Sequence, residues 1–233
     1  MNEKFGGAVK ALVFDLDGTL IDSKKDLVLA VNATLREMGR HELPEDLVAS
    51  YVGSGAPVLI SRALGAAAAP EELQRALQFF LAHYEAHKLD YTREYPGVRE
   101  TLEKLRGVPM AVLTNKPVDI SVRILQGLGL AEYFRSICGG NSFATKKPDP
   151  LGANHVLREL GVPAAQSAMV GDSEVDVQTA RNTGMISAIV NFGFGTHDRE
   201  KYPADVYLDG LDELLPMIEP GSVTSASPAR ERL

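Results

Sequence analysis

Apolar residues in this chain gather into five short runs, VKALVFD (9–15), PMAVLTN (109–115), SAMVGD (167–172), ISAIVN (186–191) and DVYLD (205–209). Each is rich in β-prone side chains and ends in polar or turn-forming residues, so each predicts a buried strand. Between them the spacing becomes helical. Val98, Leu102 and Leu105 share one face, Ile120, Ile124 and Leu128 another, and a third segment runs from Pro150 through Val156 to Leu160. Gly107, Gly129 and Gly161 stand where helix C-caps are expected. Apolar strands alternating with helices predict a parallel sheet covered on both faces. The expected fold class is α/β, a three-layer doubly wound parallel sheet with a Rossmann-like core.

One stretch breaks the rhythm. From about Asp22 to Glu94 only helical periodicity is visible: Leu27, Val31, Leu35 and Met38 form a stripe closed by Gly39. Leu73, Ala76, Leu77, Phe80, Leu81 and Tyr84 form a second stripe after Pro70. Residues 22–94 are therefore expected as a helical insertion in a core built from 1–21 and 95–220. The end, GSVTSASPARERL from Gly221, is small, polar and aperiodic, and is expected to be disordered.

Composition narrows the function. The 233 residues are 45% hydrophobic and 24% charged, with net charge −7, which argues against a nucleic-acid or anionic-membrane surface. One cysteine, Cys138, excludes an intramolecular disulfide and suggests a reducing compartment. The start, MNEKFGGAVK, lacks a signal-peptide pattern, so a cytoplasmic protein is expected, as monomer or homodimer.

Ligands of open parallel sheets bind at the carboxyl ends of the strands. There this chain places Asp15 and Asp17, Thr114 and Asn115, then Gly171, Asp172 and Ser173, with Asp176 one helical turn later. Two carboxylates about 4 Å apart would repel by roughly 4 kcal/mol at an effective dielectric near 20. Bound Mg²⁺ would remove that cost and keep positions for water and phosphate oxygens. In KKPDP (146–150) the prolines stiffen a loop, so Lys147 offers a fixed positive charge to a phosphate. The Thr114 hydroxyl, Asn115 and the backbone N–H groups of the turn through Gly18 complete an expected phosphate cradle. His83 and His87 lack the Glu of a zinc-protease helix and read as a solvated face, and GFGTHD (193–198) reads as a loop.

DLDGTL, LTNK, KKPDP and GDSEVD follow one another in the order and spacing of the four motifs of the haloacid dehalogenase superfamily, which this chain resembles from about residue 10 to 215. The resemblance implies a phosphatase. Asp15 would be the nucleophile that forms an aspartyl-phosphate, and Asp17 the general acid and then base. Thr114 and Lys147 would bind the phosphoryl group. Mg²⁺ would sit on the Asp15 carboxylate, the Asp17 carbonyl and Asp172, with Asp176 direct or through water. YVGSGAPVLISRAL (51–64), REYPGV (93–98), TNKP and GGNSF further resemble the phosphoglycolate phosphatase group, implying a small phosphorylated metabolite, 2-phosphoglycolate first, as substrate. The helical insertion would then be a cap over the site, hinged near 20–24 and 91–97, with Gly53, Gly55 and Arg62 as candidates for a substrate carboxylate. Asn141 departs from that group, which usually has Asp there. A sugar-phosphate phosphatase, a β-phosphoglucomutase-like mutase and a pyrophosphatase share the pattern. Asp17 argues against a dehalogenase or phosphonatase, and the insertion after the first strand against a phospho-accepting receiver module.

Overall fold

A computed structural model describes residues 8–195 and 197–218. In chain order the elements are β1 (Ala11–Phe14), β2 (Ile21–Asp22), α1 (Lys24–Glu37), α2 (Glu45–Ala49), α3 (Ala56–Leu64), α4 (Pro70–His87), β3 (Arg93–Glu94), α5 (Val98–Lys104), β4 (Met110–Leu113), α6 (Val118–Gly127), β5 (Ser136–Cys138), α7 (Pro150–Leu160), β6 (Ser167–Gly171), α8 (Glu174–Thr183), β7 (Ile186–Val190) and β8 (Val206–Leu208). Six strands form one parallel sheet in the order β5-β4-β1-β6-β7-β8. The order reverses beside β1, which pairs with both β4 and β6, so its carboxyl end lies at the topological switch point.

The strands are apolar throughout because both faces are buried. Leu12, Phe14, Met110, Val112 and Val170 join one apolar cluster with α5 and α6, while Ala11, Val13, Ala111, Leu113 and Met169 join another with α7 and α8. The period-two alternation thus divides the α/β sandwich into three layers, as the apolar runs predict. The first cluster continues into the insertion, where α1 packs on α4 and buries Leu27, Val31, Leu35, Phe80 and Tyr84. Burying side chains of that size contributes about 1.5–3 kcal/mol each. Among the described residues no helix is long and apolar enough to cross a membrane.

Four local expectations differ from the structure. The insertion is bracketed by an antiparallel ribbon, Ile21 opposite Glu94 and Asp22 opposite Arg93; two-residue strands carry no readable period. Strand β5 has three residues, two of them only half-buried, and five-residue α2 is too short for a helical stripe. Helix α5 ends at Lys104 with Leu105 as its C-cap, closed by the Leu105 N–H on the Thr101 carbonyl, so Gly107 lies beyond it. Gly161 is the left-handed C-cap of α7. The tail expected to be disordered, 221–233, lies outside the described residues.

Candidate active site

The Asp15 N–H donates to the Val170 carbonyl (2.8 Å), carrying the β1–β6 ladder one residue past the strand. Its side chain thereby emerges at the carboxyl edge, beside Asp172 at the end of β6. Asp176 arrives by a different route. Ser173 caps α8, and Asp176 Oδ2 accepts from the Ser173 hydroxyl (2.7 Å) and N–H (3.2 Å), a reciprocal capping box. The cap leaves Asp176 Oδ1 free to accept from Lys147 Nζ (2.7 Å), which also pairs with Asp15 Oδ1 at 2.9 Å. Asp15, Asp172 and Asp176 each offer an oxygen within 4.8 Å of the others, all from buried residues.

Three buried carboxylates face one buried ammonium. Burial pushes the Asp15 carboxyl up to about 6, with Lys147 pulling down and Asp176 pushing up. Burial, then the charges of Asp176 and Asp15, hold Asp172 well above the usual carboxylate range, despite the Gly195 N–H on its Oδ2 (2.6 Å). Burial alone would lower Lys147, but Asp15 and Asp176 outweigh it and its pKa is raised. Asp15 Oδ1 accepts no well-aligned hydrogen bond although it is buried. Excess negative charge, hard oxygen donors and an under-coordinated oxygen fit a divalent cation held by Asp15, Asp172 and Asp176.

A cavity open to solvent lies over these residues. Asp15, Asp17, Thr114, Lys116 and Asp172 line its polar floor, and Leu59, Phe80, Leu81 and Tyr84 from the insertion line its roof. This is a charged sheet edge closed from above by an apolar helical layer.

A haloacid dehalogenase-like hydrolase family model matches residues 12–190, most of the chain. The chain belongs to that family. It is 43% identical over 221 residues to the phosphoglycolate phosphatase of Pseudomonas syringae pv. tomato, covering 91% of this chain and 80% of the relative. The phosphoglycolate phosphatase of Neisseria meningitidis is 40% identical over 193 residues, 80% of this chain and 82% of the relative. Among solved structures, a predicted phosphoglycolate phosphatase from Haemophilus somnus superposes with TM-score 0.84 at 31% identity, covering 89% of this chain and 97% of that one. With these relatives the chain is a phosphatase of the haloacid dehalogenase-like family.

In this hydrolase most of the residues expected at the site converge, but not all as expected. Thr114 lines the cavity, its Oγ1 accepting from the Lys116 N–H (3.3 Å). Asn115 lines it too, yet its side chain is committed elsewhere: Oδ1 accepts from the Lys147 N–H (2.9 Å), and Nδ2 donates to the carbonyls of Lys147 (3.0 Å) and Gly53 (2.9 Å). It holds the lysine loop in place. The Gly18 N–H, expected in a phosphate cradle, is spent on the Ile21 carbonyl (2.9 Å). Gly18 matters for another reason: with φ +79°, a Cβ there would lie 1.8 Å from Asp172 Oδ2. Gly53 and Gly55 reach the cavity. Arg62 does not; it is exposed on α3, with Nη1 3.5 Å from the Tyr51 carbonyl. Asn141 Oδ1 accepts from the Val118 N–H (2.8 Å) at the start of α6, a contact made without a carboxylate's charge.

Two contributors had no assigned role. Gly195, in the loop after β7, donates to Asp172. Lys116, the last residue of the LTNK motif, is buried with its ammonium on both Asp17 oxygens (2.9 Å each) and on the Tyr84 hydroxyl (2.7 Å). Asp17 Oδ1 also accepts from Ser23 Oγ (2.5 Å). The sequence signal was a second lysine beside the sheet edge, together with a tyrosine on the buried stripe of α4.

Proposed function

We propose that this hydrolase cleaves small phosphate monoesters through an aspartyl-phosphate, with 2-phosphoglycolate, giving glycolate and phosphate, as its leading substrate. The observation that carries this reading is the Asp15 carboxylate, held at a strand end against Lys147 and within 4.8 Å of Asp172 and Asp176 oxygens. An Asp15 oxygen attacks phosphorus as the ester P–O bond breaks, and Asp17 gives its proton to the departing oxygen. Asp17 then takes a proton from water, whose oxygen attacks phosphorus and releases Asp15. Splitting one displacement into two lowers each barrier. Lys147 and Thr114 hold the phosphoryl oxygens, and Lys147 stays charged for the task. Asp15, the Asp17 carbonyl and Asp172, with Asp176 beside them, would hold Mg²⁺, which would supply neutralisation of charge on the transferring group. Residues 22–94 act as a cap that closes the cavity over the core, turning about the β2–β3 ribbon. A cytoplasmic setting accords with one cysteine, buried Cys138.

The experiment is phosphate release from a panel of small esters, with and without Mg²⁺, for the native protein and Asp15→Asn. Mg²⁺-dependent preference for 2-phosphoglycolate, reduced by about three orders of magnitude or more in the variant, is expected. Activity on sugar phosphates alone, phosphoryl transfer between sugar positions, or pyrophosphate cleavage would replace the substrate. No release from any ester by the folded protein overturns the reading.

A further inference from the structure

The charge of the cavity poses a problem for the proposed substrate. Asp15, Asp17 and Asp172 all line it, and 2-phosphoglycolate adds a carboxylate beyond its phosphate. Lys147 is already shared between Asp15 and Asp176 and is assigned above to the phosphoryl oxygens, so it does not serve a second carboxylate. Arg62 points away. Among the described residues lining the cavity, Lys116 carries the one cationic side chain.

Its position is specific. All three ammonium protons have acceptors, the two Asp17 oxygens and the Tyr84 hydroxyl, so Lys116 is held between the core and the roof of the cavity. Asp17 is the group assigned to the leaving oxygen, and Lys116 is one hydrogen bond further out. In 2-phosphoglycolate the carboxylate is joined to the ester oxygen through one methylene, the short span that this spacing calls for.

We propose that Lys116 is the specificity-determining cation of this phosphatase, exchanging Asp17 for a leaving-group carboxylate carried on the carbon next to the ester oxygen. The inference rests on the phosphomonoesterase reading above. Exchange of one carboxylate for another keeps the buried ammonium paired throughout, so no isolated charge is created on the way. It also releases Asp17 from the ammonium, so that Oδ2, the oxygen not held by the Ser23 hydroxyl, can take up a proton from solvent and face the ester oxygen. With a neutral leaving group of the same size no exchange occurs, and the ammonium keeps both Asp17 oxygens occupied. Tyr84 holds the ammonium from the cap side as the exchange takes place, so the cap must be closed for the carboxylate to be read.

The test compares kcat/KM for 2-phosphoglycolate and ethyl phosphate, esters of similar size with and without the carboxylate, in the native protein, Lys116→Met and Lys146→Gln. Lys146 lines a neighbouring cavity with Ala56, Leu81 and Asn115, and is the competing cation. Lys116→Met is expected to slow both esters but to reduce the preference for the carboxylate at least about tenfold, equivalent to about 1.4 kcal/mol. Lys146→Gln is expected to leave the preference intact. Equal losses on both esters in Lys116→Met, or collapse of the preference in Lys146→Gln, overturn the proposal. Asp17→Asn and Asp17→Asn/Lys116→Met provide a second measurement, since the double variant removes the buried pair without stranding a charge. Calorimetric binding of 2-phosphoglycolate, but not of ethyl phosphate, is expected to weaken at least about tenfold between them. Unchanged binding overturns the proposal. Failure of the native protein to hydrolyse any ester overturns the phosphatase reading instead, so the two failures are distinct.

Discussion

Asn115 grips Lys147 by its backbone, accepting from its N–H at 2.9 Å and donating to its carbonyl at 3.0 Å, while the same amide donates to Gly53 in the insertion. The lysine that pairs with Asp15 is thus placed by a side chain from the neighbouring strand end, and that side chain also feels the helical layer above.

Asn115→Ala leaves the Lys147 N–H and two carbonyls without that partner. Buried hydrogen bonds lost in this way cost about 1–3 kcal/mol, which at a positioned charge corresponds to a fall of about 10- to 100-fold in kcat/KM. Steady-state kinetics on 2-phosphoglycolate checks this. Native-like rates in Asn115→Ala would show that the KKPDP loop holds Lys147 unaided.

Metal-free stability is expected to depend on pH in an unusual direction. The Asp15 carboxyl is raised from 3.8 to about 6 in the folded protein, and Asp172 moves the same way, so between those values the folded state binds more protons than the unfolded one. Stability therefore falls as pH rises from about 4 through about 6, by about 3 kcal/mol from Asp15 alone. A divalent cation replaces those protons, so Mg²⁺ should raise Tm more at pH 7.5 than at pH 5. Thermal melts in EDTA and in Mg²⁺ at both values are the measurement. An equal or larger shift at pH 5 would mean that the three carboxylates are not the metal site.

Gly18→Ala is expected to weaken metal binding as well as the fold. A methyl at Gly18 would overlap Asp172 Oδ2, forcing that carboxylate to turn away, and the φ of +79° adds backbone strain. Gly39→Ala separates the two effects, because Gly39 has φ +68° with nothing near its Cβ. That control should lose about 1 kcal/mol in denaturant melts, with Mg²⁺ affinity unchanged. Gly18→Ala should lose more and bind Mg²⁺ at least tenfold more weakly by calorimetry. Equal affinities in the two variants would contradict the close approach.

Much of this arrangement is legible along the chain, for a physical reason. A strand buried on both faces must be apolar, so polar residues such as Asp15, Thr114 and Asp172 stand out where it ends, and a parallel sheet brings those ends to one edge. What is illegible depends on which partner a side chain meets. Asn115 and Lys116 are adjacent polar residues after β4, and nothing local says that one turns to Lys147 and the other to Asp17 and Tyr84. Arg62 is a different case: a helical arginine near glycine turns carries no sign of the face it takes, and here it is exposed. Strand β5 is missed because three residues with mixed burial have no period.

The crossing between core and insertion has its own fastening. Asp26, buried in the first turn of α1, accepts from the Tyr91 N–H (3.0 Å), the Thr92 N–H (2.8 Å) and the Thr92 hydroxyl (2.7 Å), tying the outgoing chain to the returning one beside the β2–β3 ribbon. Asp26→Ala leaves two buried or half-buried N–H groups and a hydroxyl without that acceptor, so a loss of about 2–4 kcal/mol is expected in denaturant unfolding. Thr92→Val removes only the hydroxyl and should lose about 1 kcal/mol. If the fastening governs how the insertion sits over the cavity, Asp26→Ala will also raise KM for 2-phosphoglycolate under conditions where it remains folded, and Thr92→Val will raise it less. A destabilised Asp26→Ala with unaltered KM would make the contact a stabiliser of the fold alone, and hinge motion would then have to be sought in the ribbon itself.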